Sequence, residues 1–222
     1  MHDGHERVVQ TLVRFFIYTT MLFGLLVGIP YLLKPGDILM FNEDNPIENI
    51  QVLILVSTAA VFGFGAWLER PMRELFTLLC LVSAFAAIRE LDGFFDKMPF
   101  IRWEMPDAVI VVAGVWLGLR SRQILISQTE SFISSVPFGV LWAGIVVVVI
   151  IAQLIGHGRF LEMALGDDYR RDYKRVIEET CELCGYFILF FGALEAVLFD
   201  GKFRRNGQRN RNKPLENPKI RD

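Results

Sequence analysis

The feature that most constrains this chain is a series of long apolar runs, interrupted by clusters of charge, that begin near Leu12, Val52, Leu75, Ala108, Val136 and Val176. A helix needs roughly 20 mainly apolar residues, at about 1.5 Å each, to cross the hydrocarbon core of a bilayer. Most of these runs reach that length. A chain crossing lipid must satisfy its backbone internally, which leaves helices or closed barrels. The runs lack the polar–apolar alternation of barrel strands. The expected fold class is all-α: a polytopic transmembrane helical bundle of about six spans joined by short loops.

Composition agrees. The chain of 222 residues is 53% hydrophobic with a mean hydropathy of +0.38, whereas soluble domains are about 45–50% apolar even with glycine counted. The net charge of -2 says little, because the charges are segregated. No strongly basic globular domain is present, which argues against nucleic acid as a partner; the implied partner is membrane lipid. Residues 1–200 read as one helical domain and 201–222 as a basic polar tail, with no room for a second soluble domain.

The first run, Thr11–Leu33, exceeds the apolar core of a signal peptide, about 7–15 residues. It also contains Arg14 and lacks a small-x-small cleavage site before Lys34. It reads as a retained first span. The second span runs from Pro46, a residue suited to a first helical turn, to Leu68; the third runs from about Leu75 to Phe95. The fourth is short. Its clean stretch, Ala108–Leu119, holds 12 residues before Arg120 and Arg122, a rise of about 18 Å. It either extends toward Ile126 with both arginines snorkelling, or re-enters the surface it left. Gln123–Ser135 reads as an interfacial helix, Val136–Ile155 as the fifth span, and Lys174–Phe199 as the sixth.

Lys and Arg in short loops set orientation. Arg70, Arg73, Arg120, Arg122 and the tail, which holds Lys202, Arg204 and Arg205 among others, place both termini in the cytoplasm. The expected location is a bacterial inner membrane. The segment 156–175 runs against this arrangement, since it carries Arg159, Arg170, Arg171, Lys174 and Arg175 on the outer side. The tail satisfies orientation, attracts anionic lipid at about 1 kcal/mol per basic residue, and is the expected dock for any cytoplasmic protein partner. Trp67 and Trp103 fall at belt positions.

With that topology, three acidic clusters share one depth near the outer surface. Glu43, Asp44 and Glu48 open the second span; Arg89, Glu90, Asp92 and Asp96 close the third; Glu178, Glu179 and Glu182 open the sixth. Glu178 and Glu182 are four apart on one helical face, which continues through Gly185, Leu189 and Gly192. Arg89, Asp92 and Asp96 share another face. Ionisable groups inside a span face the bundle interior or a wet cavity, so an inward Arg89 needs a carboxylate from Glu48, Glu178 or Glu182. The expected binding residues are Glu48, Arg89, Asp92, Glu178 and Glu182. If a metal binds, its ligands are Glu48, Asp92, Glu178 and Glu182. Oxygen-only ligation selects Mg²⁺, Ca²⁺ or Mn²⁺. Glu179 and Glu90 lie off the shared faces and are expected to meet water.

Other motifs have plainer readings. Cys181-x-x-Cys184 lies within a helical run and reads as packing. His157, in a glycine-rich loop, reads as a surface residue. Arg14 and Glu195 sit one turn inside their spans at equal depth and are expected to pair. The chain holds no phosphate loop, no Gly-x-Ser-x-Gly elbow and no His-Glu-x-x-His. Four functions remain open: a pocket binding a divalent cation or lipid head group, a cation transporter, a membrane-embedded enzyme acting on lipid, and an accessory subunit whose charges only pin helices.

Overall fold

The computed structural model describes residues 2–32, 46–68, 70–91 and 104–199. All regular secondary structure among these residues is helical. The helices are α1 (His2–Leu32), α2 (Pro46–Leu68), α3 (Arg73–Arg89), α4 (Glu104–Arg120), α5 (Arg122–Ile133), α6 (Val136–Gly156), α7 (Arg159–Leu165) and α8 (Arg171–Leu194). A π-helical stretch, Val146–Ala152, lies within α6, and α8 runs on as a π turn, Glu195–Phe199. The basic tail lies outside the described residues.

Four helical stretches are long and apolar enough to cross a membrane: Val8–Gly28 in α1, Pro46–Leu68, Val136–Gly156 and Lys174–Leu198. They are compatible with an integral membrane protein. The bent pair α4–α5 makes a fifth if it counts as one span. The expected count of about six is not reached among the described residues, for two physical reasons. α3 has 17 residues, a rise of about 26 Å against a core of about 30 Å, and positions 92–95 lie outside the described residues. The expected fourth span breaks at Ser121, where α4 and α5 meet at 94°. The Arg120 guanidinium folds back over the Trp116 ring, 4.9 Å from its centroid. The separate helix expected over Gln123–Ser135 is α5.

A buried amide holds this break in place. The first backbone N–H groups of a helix have no partner within it, and α3 carries no side-chain cap of its own. Gln128 of α5 supplies one. Its Oε1 accepts from the Leu75 amide at 2.8 Å, and its Nε2 donates to Pro71 O at 2.8 Å and Glu74 Oε2 at 2.7 Å. Around it lies one of two apolar clusters, formed by Phe62, Met72, Phe76, Leu125, Phe132, Leu141 and Val197. The second, built from Ile47, Ile54, Leu55, Ala87, Leu183 and Tyr186, fills the opposite end of the bundle.

α8 is the hub. It packs on α2 and α6 and touches α1. The expected glycine stripe exists and faces α6. A Cβ on Gly185 would meet the Gly144 carbonyl at 3.2 Å, and one on Gly144 would meet Leu189 Cγ at 2.8 Å and the Gly185 carbonyl at 3.1 Å. Small residues let two backbones approach to this degree.

The expected Arg14–Glu195 pair is present. Arg14 Nε donates to Glu195 Oε1 at 2.8 Å and its Nη2 to Oε2 at 3.3 Å, while Tyr18 Oη donates to Oε1 at 3.0 Å. Tyr18 stacks on Phe191 with centroids 4.4 Å apart. Glu195 is 4% exposed, so this cluster anchors the otherwise exposed α1 to α8.

Two outcomes check this packing. Gly185→Ala forces α6 and α8 apart against backbone and is expected to cost about 1–3 kcal/mol, read as a lower midpoint of denaturant unfolding in micelles. Glu195→Ala removes the carboxylate that Arg14 and Tyr18 share and is expected to cost about 3–5 kcal/mol by the same measurement, with Tyr18→Phe costing less.

Candidate functional site

Glu48, Glu90, Glu178, Glu179 and Glu182 lie where α2 begins, α3 ends and α8 begins. At about 100° per residue, Glu178 lies on the glycine face of α8, Glu179 and Tyr186 lie roughly a quarter turn away, and Glu182 falls between them. The glycine face is committed to α6, so the second face turns toward α2 and α3.

That rotation corrects three expectations. Glu178 does not reach the second and third spans: its carboxylate packs against Gly156 at the end of α6, and Lys174 Nζ lies 3.8 Å from it. Glu179, expected to meet water, is half-buried, and Gln51 Nε2 of α2 donates to its Oε2 at 3.1 Å and to its carbonyl at 3.3 Å. Glu90, also expected in water, accepts from Tyr186 Oη at 2.5 Å. Both join the cluster because α3 and α2 meet the Glu179 side of α8 rather than the Glu178 side.

Arg89, expected to face inward, is exposed at the last turn of α3, one residue and about 100° around from Glu90. Its charge acts on Asp107 at the start of α4. The charges acting on Glu182 are those of Glu90, Glu179 and Glu178. Asp107 is 6% exposed and its Oδ1 has no hydrogen-bond partner among the described residues. Glu48 lies in the first turn of α2, half-buried, and its charge reaches Glu179. Asp92 lies outside the described residues.

Two groups at the centre are unsatisfied. Gln51 is 0% exposed, yet its Oε1 has no partner among the described residues. Glu182 is half-buried and makes no hydrogen bond or ion pair among them. An unpaired buried polar group costs about 1–3 kcal/mol, more when charged. A set of charges that only pins helices has partners for such groups. Among the described residues, no three Asp, Glu, His or Cys side chains converge as ligands for a metal ion.

Sequence reasoning missed Gln51, Glu179, Glu90, Tyr186 and Asp107. Gln51 had a signal: an amide within the second span, immediately before the run Val52–Val56, is costly in lipid and calls for a partner. Tyr186 had a weaker one, a phenol four residues after Glu182 on the same strip of helix. Comparison with family models, with curated proteins and with solved structures returns no match.

The hydrogen bond from Tyr186 to Glu90 joins α8 to α3. Tyr186→Phe is expected to cost about 1.5–3 kcal/mol, the range for a bond to a charged group. Equilibrium unfolding of the two proteins in one detergent checks this.

Proposed function

We propose that this is an integral membrane protein whose acidic cluster binds a cationic ligand at one membrane surface. The observation that carries the reading is that Glu182 and Gln51 Oε1, at one end of the bundle beside several carboxylates, are both open acceptors among the described residues. A site of acceptors asks for a ligand that brings positive charge or N–H donors.

Of the two ligand classes drawn from the sequence, the amine of a lipid head group fits this geometry better than Mg²⁺, Ca²⁺ or Mn²⁺. Divalent ions need several oxygens converging at about 2.0–2.6 Å, and no such convergence occurs among the described residues. An ammonium carries three donors and can address acceptors that are spread apart. The cytoplasmic termini expected from the Lys and Arg pattern put the cluster at the outer leaflet. The hydroxyls that a transport path would use, Ser57, Thr58, Thr77 and Ser83, each donate to the carbonyl four residues before them, which does not favour the transporter reading. The accessory reading requires every buried acid to be partnered, which Glu182 opposes.

The test is thermal unfolding of detergent-purified protein with dihexanoyl-phosphatidylethanolamine, with the choline analogue that lacks N–H donors, and with each divalent chloride. A ligand at one hundred times its Kd stabilises by about 2.7 kcal/mol. The ethanolamine lipid alone should raise the midpoint, and Glu182→Gln should abolish the rise. A response confined to a divalent ion would replace the amine with a metal. No response to any of them, or one that survives in Glu182→Gln, would overturn the reading.

A further inference from the structure

A second polar feature lies at the opposite end of α3, and nothing in the acidic cluster accounts for it. A groove of about 410 Å³ opens between the end of α2 and the start of α3, lined by Gly63, Ala66, Trp67, Arg73 and Thr77. The small residues make its floor; even a Cβ on Gly63 would only touch Cys80 Sγ, at 3.6 Å. Arg73 is exposed at the first residue of α3, and its guanidinium has no hydrogen-bond or ion-pair partner among the described residues. The adjacent acid does not neutralise it, because Glu74 points the other way and accepts from Gln128 at 2.7 Å. The Thr77 hydroxyl donates back to Arg73 O at 2.7 Å, which secures the first turn. Trp67 is 76% exposed at the rim, its indole N–H also without a hydrogen-bond partner among the described residues.

The chemistry here is the inverse of the acidic cluster: two open donors, one of them a fixed cation, over an apolar floor. Arg presents a planar fork matched to the oxygens of a phosphate. Indoles rest at the level of lipid head groups, and basic pockets between spans bind anionic head groups. We infer that the Arg73–Trp67 groove binds a phosphate group, carried by an anionic phospholipid or as the free ion. Arg73 pairs with the phosphate oxygens, the Trp67 N–H donates to the glycerol-side oxygens, and Gly63 and Ala66 leave space for the first carbons of the chain. The inference does not rest on the reading of the acidic cluster, which lies at the other end of the bundle.

The experiment is titration of the full chain in a zwitterionic detergent with dihexanoyl-phosphatidylglycerol, with its choline analogue and with inorganic phosphate, read by tryptophan emission. The Trp67→Phe variant identifies the signal from this site. Saturable binding of phosphatidylglycerol is expected, weakened at least tenfold in Arg73→Gln, less in Arg73→Lys, and unchanged in Arg122→Gln. Gly63→Leu fills the floor without touching a charge and should weaken the lipid while sparing inorganic phosphate. Phosphate competing with the lipid would show that the phosphate itself is recognised; phosphate failing to compete, with the lipid still bound through Arg73, would assign the site to the lipid. Absence of saturable binding, or equal weakening in Arg73→Gln and Arg122→Gln, would overturn the inference and leave only general surface attraction.

Discussion

The close contact of α6 with α8 is the constraint on which the rest of the bundle depends. Gly144 and Gly185 bring two backbones so near that a single methyl on either would meet the other's carbonyl. Close packing of that kind fixes the rotation of α8 about its own axis. Once the glycine face is spent on α6, the strip carrying Glu179, Glu182 and Tyr186 has no direction left but α2 and α3. Glu178 stays on the α6 side, and Glu195 at the far end is turned to receive Arg14 and Tyr18 of α1.

The two ends of the bundle solve the same problem differently. Each must bury polar groups among apolar helices, where an unmet hydrogen bond costs several kcal/mol. Around Gln128 both ends of the amide are used, and the result is a lock between α5 and the start of α3. Around Gln51 half the amide is used, and Glu182 has no hydrogen-bond or ion-pair partner among the described residues. A structural network has no reason to stop short in this way. The contrast within one molecule supports the view that the cluster at the start of α8 is arranged for something that arrives from outside.

Much of this was legible in the residues. The apolar runs mark where α1, α2, α6 and α8 lie, because length and hydropathy are local properties. The glycine stripe followed from period alone, and the Arg14–Glu195 pair from equal depth in two spans. What the residues withheld was which neighbour each face of α8 meets. Glu178 and Glu182 share a face by spacing, but the face that binds α6 and the face that binds α2 and α3 are only about a quarter turn apart, and periodicity cannot choose between them. The bend at Ser121 was partly legible, since a re-entrant segment and a separate helix over Gln123–Ser135 were among the readings, but the seating of Gln128 on the start of α3 was not. Gln51 carries no charge to mark it, although a neutral amide in lipid asks for a partner just as firmly.

The central claim is that Glu182 faces a wet, cation-attracting space. In a chain with Cys80, Cys181 and Cys184 replaced by alanine, the thiol of Glu182→Cys can be tested with membrane-impermeant methanethiosulfonate reagents of opposite charge. The account expects reaction from one side of the membrane only, and faster with the cationic reagent than with the anionic one, because Glu90, Glu178 and Glu179 surround the position. Failure to react with either, or equal rates for both, would contradict it and leave the cluster as packing.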